Sequence, residues 1–299
     1  MLYVSVPNVF AVNHLILLTS WLHLIQVVVA ATLRKGLSAI TGIVVQMQGK
    51  LGGRVWAVSV PPNLDVMVCG MDVYHEKHRP SVATLICSYD RDLTLYSGQC
   101  CFLERGKDIV TELTGMMRTC LQHYHTVNHA LPRRVVMYRD GVGHGNHEYV
   151  LDTEVLQMRQ AFASFGGEYK PELVVITVNK RIHLRFWMNG GRKPENPPSG
   201  TVITDHVTQP GVVDFFLVSQ SVRQGTATPT YYTVLLQEWQ LSEKLIQRLT
   251  YKLTHLYLNW PGTVRVPAPC QYAHKLAYQV GESSNDIPHH KLMGKLFYL

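Results

Sequence analysis

Residues 64–74, LDVMVCGMDVY, decide the fold. They are dense in β-branched and apolar side chains, and the spacing predicts a central strand that ends at Asp72. Working outward, Val82–Tyr89 and Leu93–Leu103 read as two more strands, split by the turn at Asp90-Arg91-Asp92, so an antiparallel meander is expected. Asp108–Thr126 then carries apolar residues on one helical face: Ile109, Leu113, Met116, Met117, Cys120 and Leu121.

Further along, Arg134–Tyr138 predicts a short buried strand delivering Asp140, followed by Gly141-Val142-Gly143-His144-Gly145 and a helix over 146–165. Leu173–Val178 predicts a strand paired with His183–Met188, and residues 189–200, rich in Gly and Pro, predict a loop. Val212–Ser219 and Tyr231–Leu236 read as strands, and Leu241–Leu258 and Pro269–Val280 as helices. Strands and helices interleaved after an antiparallel start imply an α/β fold, a mixed central sheet flanked by helices.

The chain has 299 residues and is 46% hydrophobic, enough for a sizeable core, and no low-complexity tract or repeat is present. Lys and Arg number 28 against 21 acidic residues, a formal charge of +7, which favours a polyanionic partner, nucleic acid first. The six cysteines form no CxxC pair and sit in apolar runs, as buried thiols in a reducing compartment do. His123, His125 and His129 lack the spacing of a zinc site. Residues 1–33 contain no charged side chain, and Leu15–Leu33 is long enough to span a bilayer. Thr19, Ser20, His23 and Gln26 interrupt it, so burial against a neighbouring domain is expected rather than a membrane.

Asp72 and Asp140 both fall at strand ends. Two carboxylates projecting from adjacent strand ends can share divalent cations about 4 Å apart and promote phosphodiester cleavage. Asp at a strand end is also a common turn former or cap, and spacing alone leaves both readings open. The glycines after Asp140 read as turn geometry, because the carboxylate before them would repel a phosphate.

The segments GMDVYH (70–75), YRDGVG (138–143), FFLVSQSVRQGTATPTYY (215–232), QRLTYKLTHLYLNWPGTVRVPAPCQYAHKLAYQVG (247–281) and the terminal FYL occur in an order that resembles the Piwi domain of Piwi-clade Argonautes. The likeness runs from about Thr32 to Leu299. It implies an RNase H-like fold over 61–299, a remnant of the Mid domain over 32–60, and an unassigned apolar segment over 1–31; PAZ and most of Mid are missing, as in a fragment. It also implies RNA-guided silencing with a small guide RNA and a target RNA as partners, in the cytoplasm, its granules or the nucleus.

The family's catalytic set is Asp, Glu, Asp, His. Asp72, Asp140 and His274 fall on three positions and are the implied ligands of magnesium, with manganese as a substitute; Asp108 stands where the family pattern has Glu. Asp is one methylene shorter, about 1 Å of reach, which puts cleavage in question and leaves a non-cutting guide-binding module as the alternative. Glu104 and Glu112 lie four residues to either side. Read without the family, His274 is an ordinary core histidine. An acidic RNase H-like transposase or integrase is a third reading.

VVQMQGKLGG (44–53) resembles the segment that holds a guide 5′-phosphate. The resemblance assigns Gln46 and Lys50 to that pocket, with the carboxylate of Leu299 helping to hold a metal ion there. Two basic groups suit a nucleic-acid backbone: Lys180, Arg181, His183 and Arg185 around the expected hairpin, and Lys244, Arg248 and Lys252 at four-residue spacing on one helix face. Arg223 is a further backbone contact. Read without the family, such a stripe is more often only a solvated face.

Overall fold

The computed structural model describes residues 2–6, 24–60, 64–107, 110–191, 193–283 and 286–299. Its centre is an eight-stranded sheet in the order β10-β11-β12-β7-β6-β3-β4-β5. The strands are β3 (Val66–Tyr74), β4 (Ser81–Ser88), β5 (Tyr96–Leu103), β6 (Arg134–Asp140), β7 (Glu172–Asn179), β10 (Thr201–Ile203), β11 (Asp214–Val218) and β12 (Thr230–Gln237). Strands β3, β6 and β7 are parallel neighbours. The meander β3-β4-β5 is antiparallel, as are β7-β12, β12-β11 and β11-β10. The sheet is therefore mixed, in agreement with the sequence.

Side-chain alternation sorts each strand between two cores. In β3, Val66 and Val68 face one core while Met67, Cys69 and Met71 face the other. In β6, Val136 and Tyr138 face the first, Val135 and Met137 the second. The first core is closed by the helices Glu243–Leu253 and Ala268–Ser283, the second by Leu113–Asn128 and Leu156–Ala163. Asp72, Asp140 and Lys180 have the parity of the first face, so three neighbouring parallel strands deliver them to one side of the sheet.

Three expectations need correction. His183–Met188 forms no hairpin with β7, because both edges of β7 are already taken by β6 and β12. Instead β8 (Met188–Asn189), at the start of the expected loop, pairs with β9 (Pro194–Glu195) within it. The helix expected from 108 begins at Leu113, where Gln157 supplies the cap: its Oε1 accepts from Leu113 N at 2.9 Å and its Nε2 donates to Val110 O at 2.6 Å. The helix after Asp140 is also not uniform. A turn of 3-10 helix (His144–Asn146) and a π-helical stretch (Val150–Val155) precede Leu156–Ala163.

Away from the sheet, β2 (Ile25–Val29) pairs in parallel with β1 (Leu2–Val6) and leads toward the helix Leu37–Lys50. Residues 25–29 are thus strand. Among the described residues no helix is long and apolar enough to cross a membrane.

Candidate active site

Gly70 sets the geometry. A Cβ there would lie 2.5 Å from Cys270 N and 2.6 Å from Pro269 O, so only glycine lets the start of the helix Ala268–Ser283 rest on β3. Thr84, opposite Asp72 on β4, donates to Ala273 O at 2.8 Å and pins the next turn. These two contacts bring His274 to Asp72, Nδ1 to Oδ2 at 2.8 Å. Residues 202 apart in sequence thereby meet. The Asp72 carboxylate also accepts from Val73 N at 3.0 Å.

Asp140 lies beside them, fully buried at the end of β6. Its Oδ2 forms an ion pair with Lys180 Nζ at 2.6 Å, but neither carboxylate oxygen has an aligned hydrogen-bond donor among the described residues. Asp72, Asp140, His274, Arg139, Lys180 and Arg181 line one cavity of about 550 Å³. Gly141, at φ +81°, makes the turn after β6 and lines this cavity with Val142 and Gly143; a Cβ there would lie 3.7 Å from Asp72 Oδ1.

Electrostatics separate the two carboxylates. Burial would raise both, but at Asp72 the His274 hydrogen bond and the charges of Lys180, His274 and Arg139 outweigh it and hold the carboxyl below its ordinary value. At Asp140 burial wins: despite Lys180, desolvation together with the Asp72 charge pushes it up to about 6. Lys180 is itself raised, since Asp140 and Asp72 outweigh the effect of its burial.

One residue back, Arg139 points to the opposite face, where it meets Glu154 from the π-helical stretch. Its Nε is 3.0 Å from Oε2, Nη2 3.1 Å from Oε1, and Nη1 donates to Asp140 O at 2.7 Å. Their side chains are only 2% and 1% exposed. No local pattern announces this pair, because an arginine inside a strand resembles an edge residue until its partner, fifteen positions on, is located.

Asp108, the remaining member of the expected set, lies outside the described residues. Glu104 and Glu112 are exposed and do not line the cavity. Among the described residues no group of three or more His, Cys, Asp or Glu side chains is arranged to hold a metal ion. A buried carboxylate oxygen without a donor, beside a second carboxylate, is nonetheless a position that a hard divalent cation fits.

A second cavity, about 450 Å³, is lined by Gln26, Gln46, Lys50, Lys275, Gln279 and Leu299 among others. Lys50 is no solvated helix end: it is buried and donates to Ile25 O at 2.8 Å. Burial and the nearby Lys275 lower its ammonium to about 8. Gln46 accepts from Gln26 Nε2 at 3.1 Å. Gln26, Lys275 and Gln279 were not expected here, since each lies in a different segment from Gln46 and Lys50.

The basic residues are dispersed. Arg181 and Arg223 are exposed, while the half-buried Arg185 donates to Ile182 O and Leu184 O at 2.9 and 2.7 Å. Lys244 and Arg248 are exposed on their helix, with Ile246, Leu249 and Leu253 buried beneath, and Lys252 donates to Ser59 O.

A mixed sheet of RNase H-like architecture, with paired carboxylates and a histidine at one end of its parallel strands, defines the class. The family model of the Piwi domain matches residues 14–285, and the chain belongs to that family. Piwi-like protein 1 of Gallus gallus is 42% identical over 279 residues, 92% of this chain and 32% of that protein. The crystal structure of Drosophila Piwi aligns with a TM-score of 0.87 at 35% identity, over 99% of this chain and 42% of that one. Kluyveromyces polysporus Argonaute with a guide RNA shares the fold, with a TM-score of 0.89 at 23% identity over 99% of this chain and 39% of that one. The chain spans about a third of the length of the curated relatives it matches.

Proposed function

We propose that this chain is the guide- and target-holding part of a small-RNA silencing protein and that it hydrolyses a phosphodiester of the target RNA. One observation carries the reading: Asp72, Asp140 and His274, distant in sequence, line a single cavity, and the Asp140 carboxylate has no aligned hydrogen-bond donor among the described residues. Asp72, Asp140 and His274 would hold magnesium, or manganese in its place, with Asp108 as the fourth group. When bound, the ion supplies an activated water and neutralises charge developing at phosphorus. The protein's own part is positional. His274 fixes one oxygen of Asp72, Gly70 and Thr84 fix the helix that carries His274, and Arg139 fixes the backbone of Asp140.

In the second cavity, Lys50 presents a buried ammonium beside Lys275, and Gln46 a neutral amide. That chemistry suits a guide 5′-phosphate, with the Leu299 carboxylate and an ion completing the site. Lys180, Arg181, Arg185, Arg223, Lys244, Arg248 and Lys252 would meet RNA backbone. Sequence would then be read by base pairing, while the protein senses charge and duplex shape. Residues 32–60 would belong to the Mid domain and 61–299 to the Piwi domain.

The test is cleavage of a matched RNA by the full guide-loaded protein with magnesium, set against Asp72→Asn. Cutting by the parent and none by the variant is expected. The identity of Asp108 favours a second reading, guide binding without cutting. An intact target, not rescued by Asp108→Glu, would establish that second reading and remove the first.

A further inference from the structure

Lys180 stands where a cation is expected. Its ammonium is 2.6 Å from Asp140 Oδ2 although Asp140 is fully buried, yet the Lys180 side chain is 28% exposed. Its backbone is held: Arg265 Nη2 donates to Lys180 O at 2.6 Å. The side chain is thus a flexible arm on a fixed mount, with one route to Asp140 and another to solvent at the cavity mouth, where Arg181 is exposed. Lysine suits such a part better than arginine, since it is a compact point charge on a rotatable stem.

Competition gives the arm a purpose. Arg139 is paired with Glu154 on the other face, so among the described residues Lys180 is the cation in direct contact with the Asp140 carboxylate, with Arg181 also lining the cavity. A divalent cation at Asp140 would compete with the ammonium for the same carboxylate and release it. A backbone phosphodiester, carrying a single negative charge, is an anion that the released ammonium can meet.

We propose that Lys180 is a displaceable counter-ion that couples the two ligands: it holds Asp140 when no divalent cation is bound, and on cation entry it transfers to a backbone phosphate. Cation and nucleic acid then bind cooperatively, each strengthening the other by the same factor. The proposal rests on the reading that this cavity takes a divalent cation.

The experiment uses the 299-residue chain near pH 8, with Mn²⁺ titrated by calorimetry or electron paramagnetic resonance. Lys180→Met, which keeps the stem and removes the charge, should bind Mn²⁺ about tenfold more tightly than the parent in the absence of RNA, a factor within the ordinary range of coupling. Lys180→Gln should do the same, which guards against a defect peculiar to methionine. The affinity for a fluorescent single-stranded RNA is then measured with and without Mn²⁺. The parent should gain affinity with Mn²⁺, and Lys180→Met should lose most of that gain; general effects of Mn²⁺ on RNA are common to both chains and cancel. Equal or weaker Mn²⁺ binding by both variants overturns the proposal while leaving the cation site in place, provided Asp72→Asn abolishes the parent's binding. Failure of every chain to bind Mn²⁺ removes the cation reading and the proposal together.

Discussion

Gly70→Ala is the sharpest probe of how the site is assembled. The added Cβ would sit 2.5 Å from Cys270 N and 2.6 Å from Pro269 O, with the Pro269 carbonyl carbon nearer still, and all three are backbone atoms that no rotamer change can clear. Restoring ordinary contact at about 3.4 Å requires the helix Ala268–Ser283 to move off β3 by roughly 1 Å. That shift would stretch the His274–Asp72 contact from 2.8 Å to nearly 4 Å, beyond hydrogen-bond range. Overpacking of this kind costs about 1–3 kcal/mol, and a 1 Å displacement of a reacting group about a hundredfold in rate. Urea denaturation of the chain and cleavage by the guide-loaded full protein measure the two effects. Gly98→Ala is the control: its Cβ would meet Ile86 Cδ1 at 2.8 Å, the end of a side chain that can rotate, and it should cost less. An unchanged denaturation midpoint with cleavage within about twofold of the parent would refute the reasoning.

Three further outcomes follow from the electrostatics. Asp140 titrates near 6 in the folded chain against about 3.9 unfolded, so the folded state binds more protons between those values and Asp140 costs stability as pH rises through that window; Asp140→Asn should therefore stabilise the cation-free chain by roughly 1–3 kcal/mol near pH 8 but not near pH 4, and saturating magnesium should narrow the difference in denaturant titrations. Lys50 titrates near 8, so affinity for a 5′-phosphorylated RNA over its 5′-hydroxyl counterpart should fall as pH rises from 7 to 9, and Lys50→Met should flatten that dependence in anisotropy measurements. Glu154→Gln removes the charge partner of a buried guanidinium and should destabilise the chain by about 3–5 kcal/mol in urea melts; a loss under 1 kcal/mol would mean that the pair is not the clamp its geometry suggests.

Much of the fold could be read from local pattern. The meander and β6 rest on short, dense apolar runs bounded by turns, and Asp72 and Asp140 share strand parity with residues two and four positions before them. What could not be read was relational. His274 stands on a helix beside Ala273 and Leu276, and only the resemblance drew attention to it; its meeting with Asp72 depends on Gly70 lacking a side chain. Likewise Gln26, on β2, donates to Gln46 on the helix Leu37–Lys50, a meeting that no periodicity announces. The failed hairpin after β7 shows the same limit. Residues 183–188 have a strand's composition, but whether β7 had a free edge depended on β12, some fifty residues further on.

The helix Ala268–Ser283 borders both cavities, with His274 on one and Lys275 and Gln279 on the other. Five residues of helix rise only about 7.5 Å, and that spacing cannot stretch without breaking backbone hydrogen bonds. On the function proposed above, a strand anchored by its terminal phosphate on one side would therefore meet the carboxylates at a fixed count of nucleotides from that end. The helix would then act as a ruler, its scale engraved in a single rigid rod and indifferent to the letters being measured.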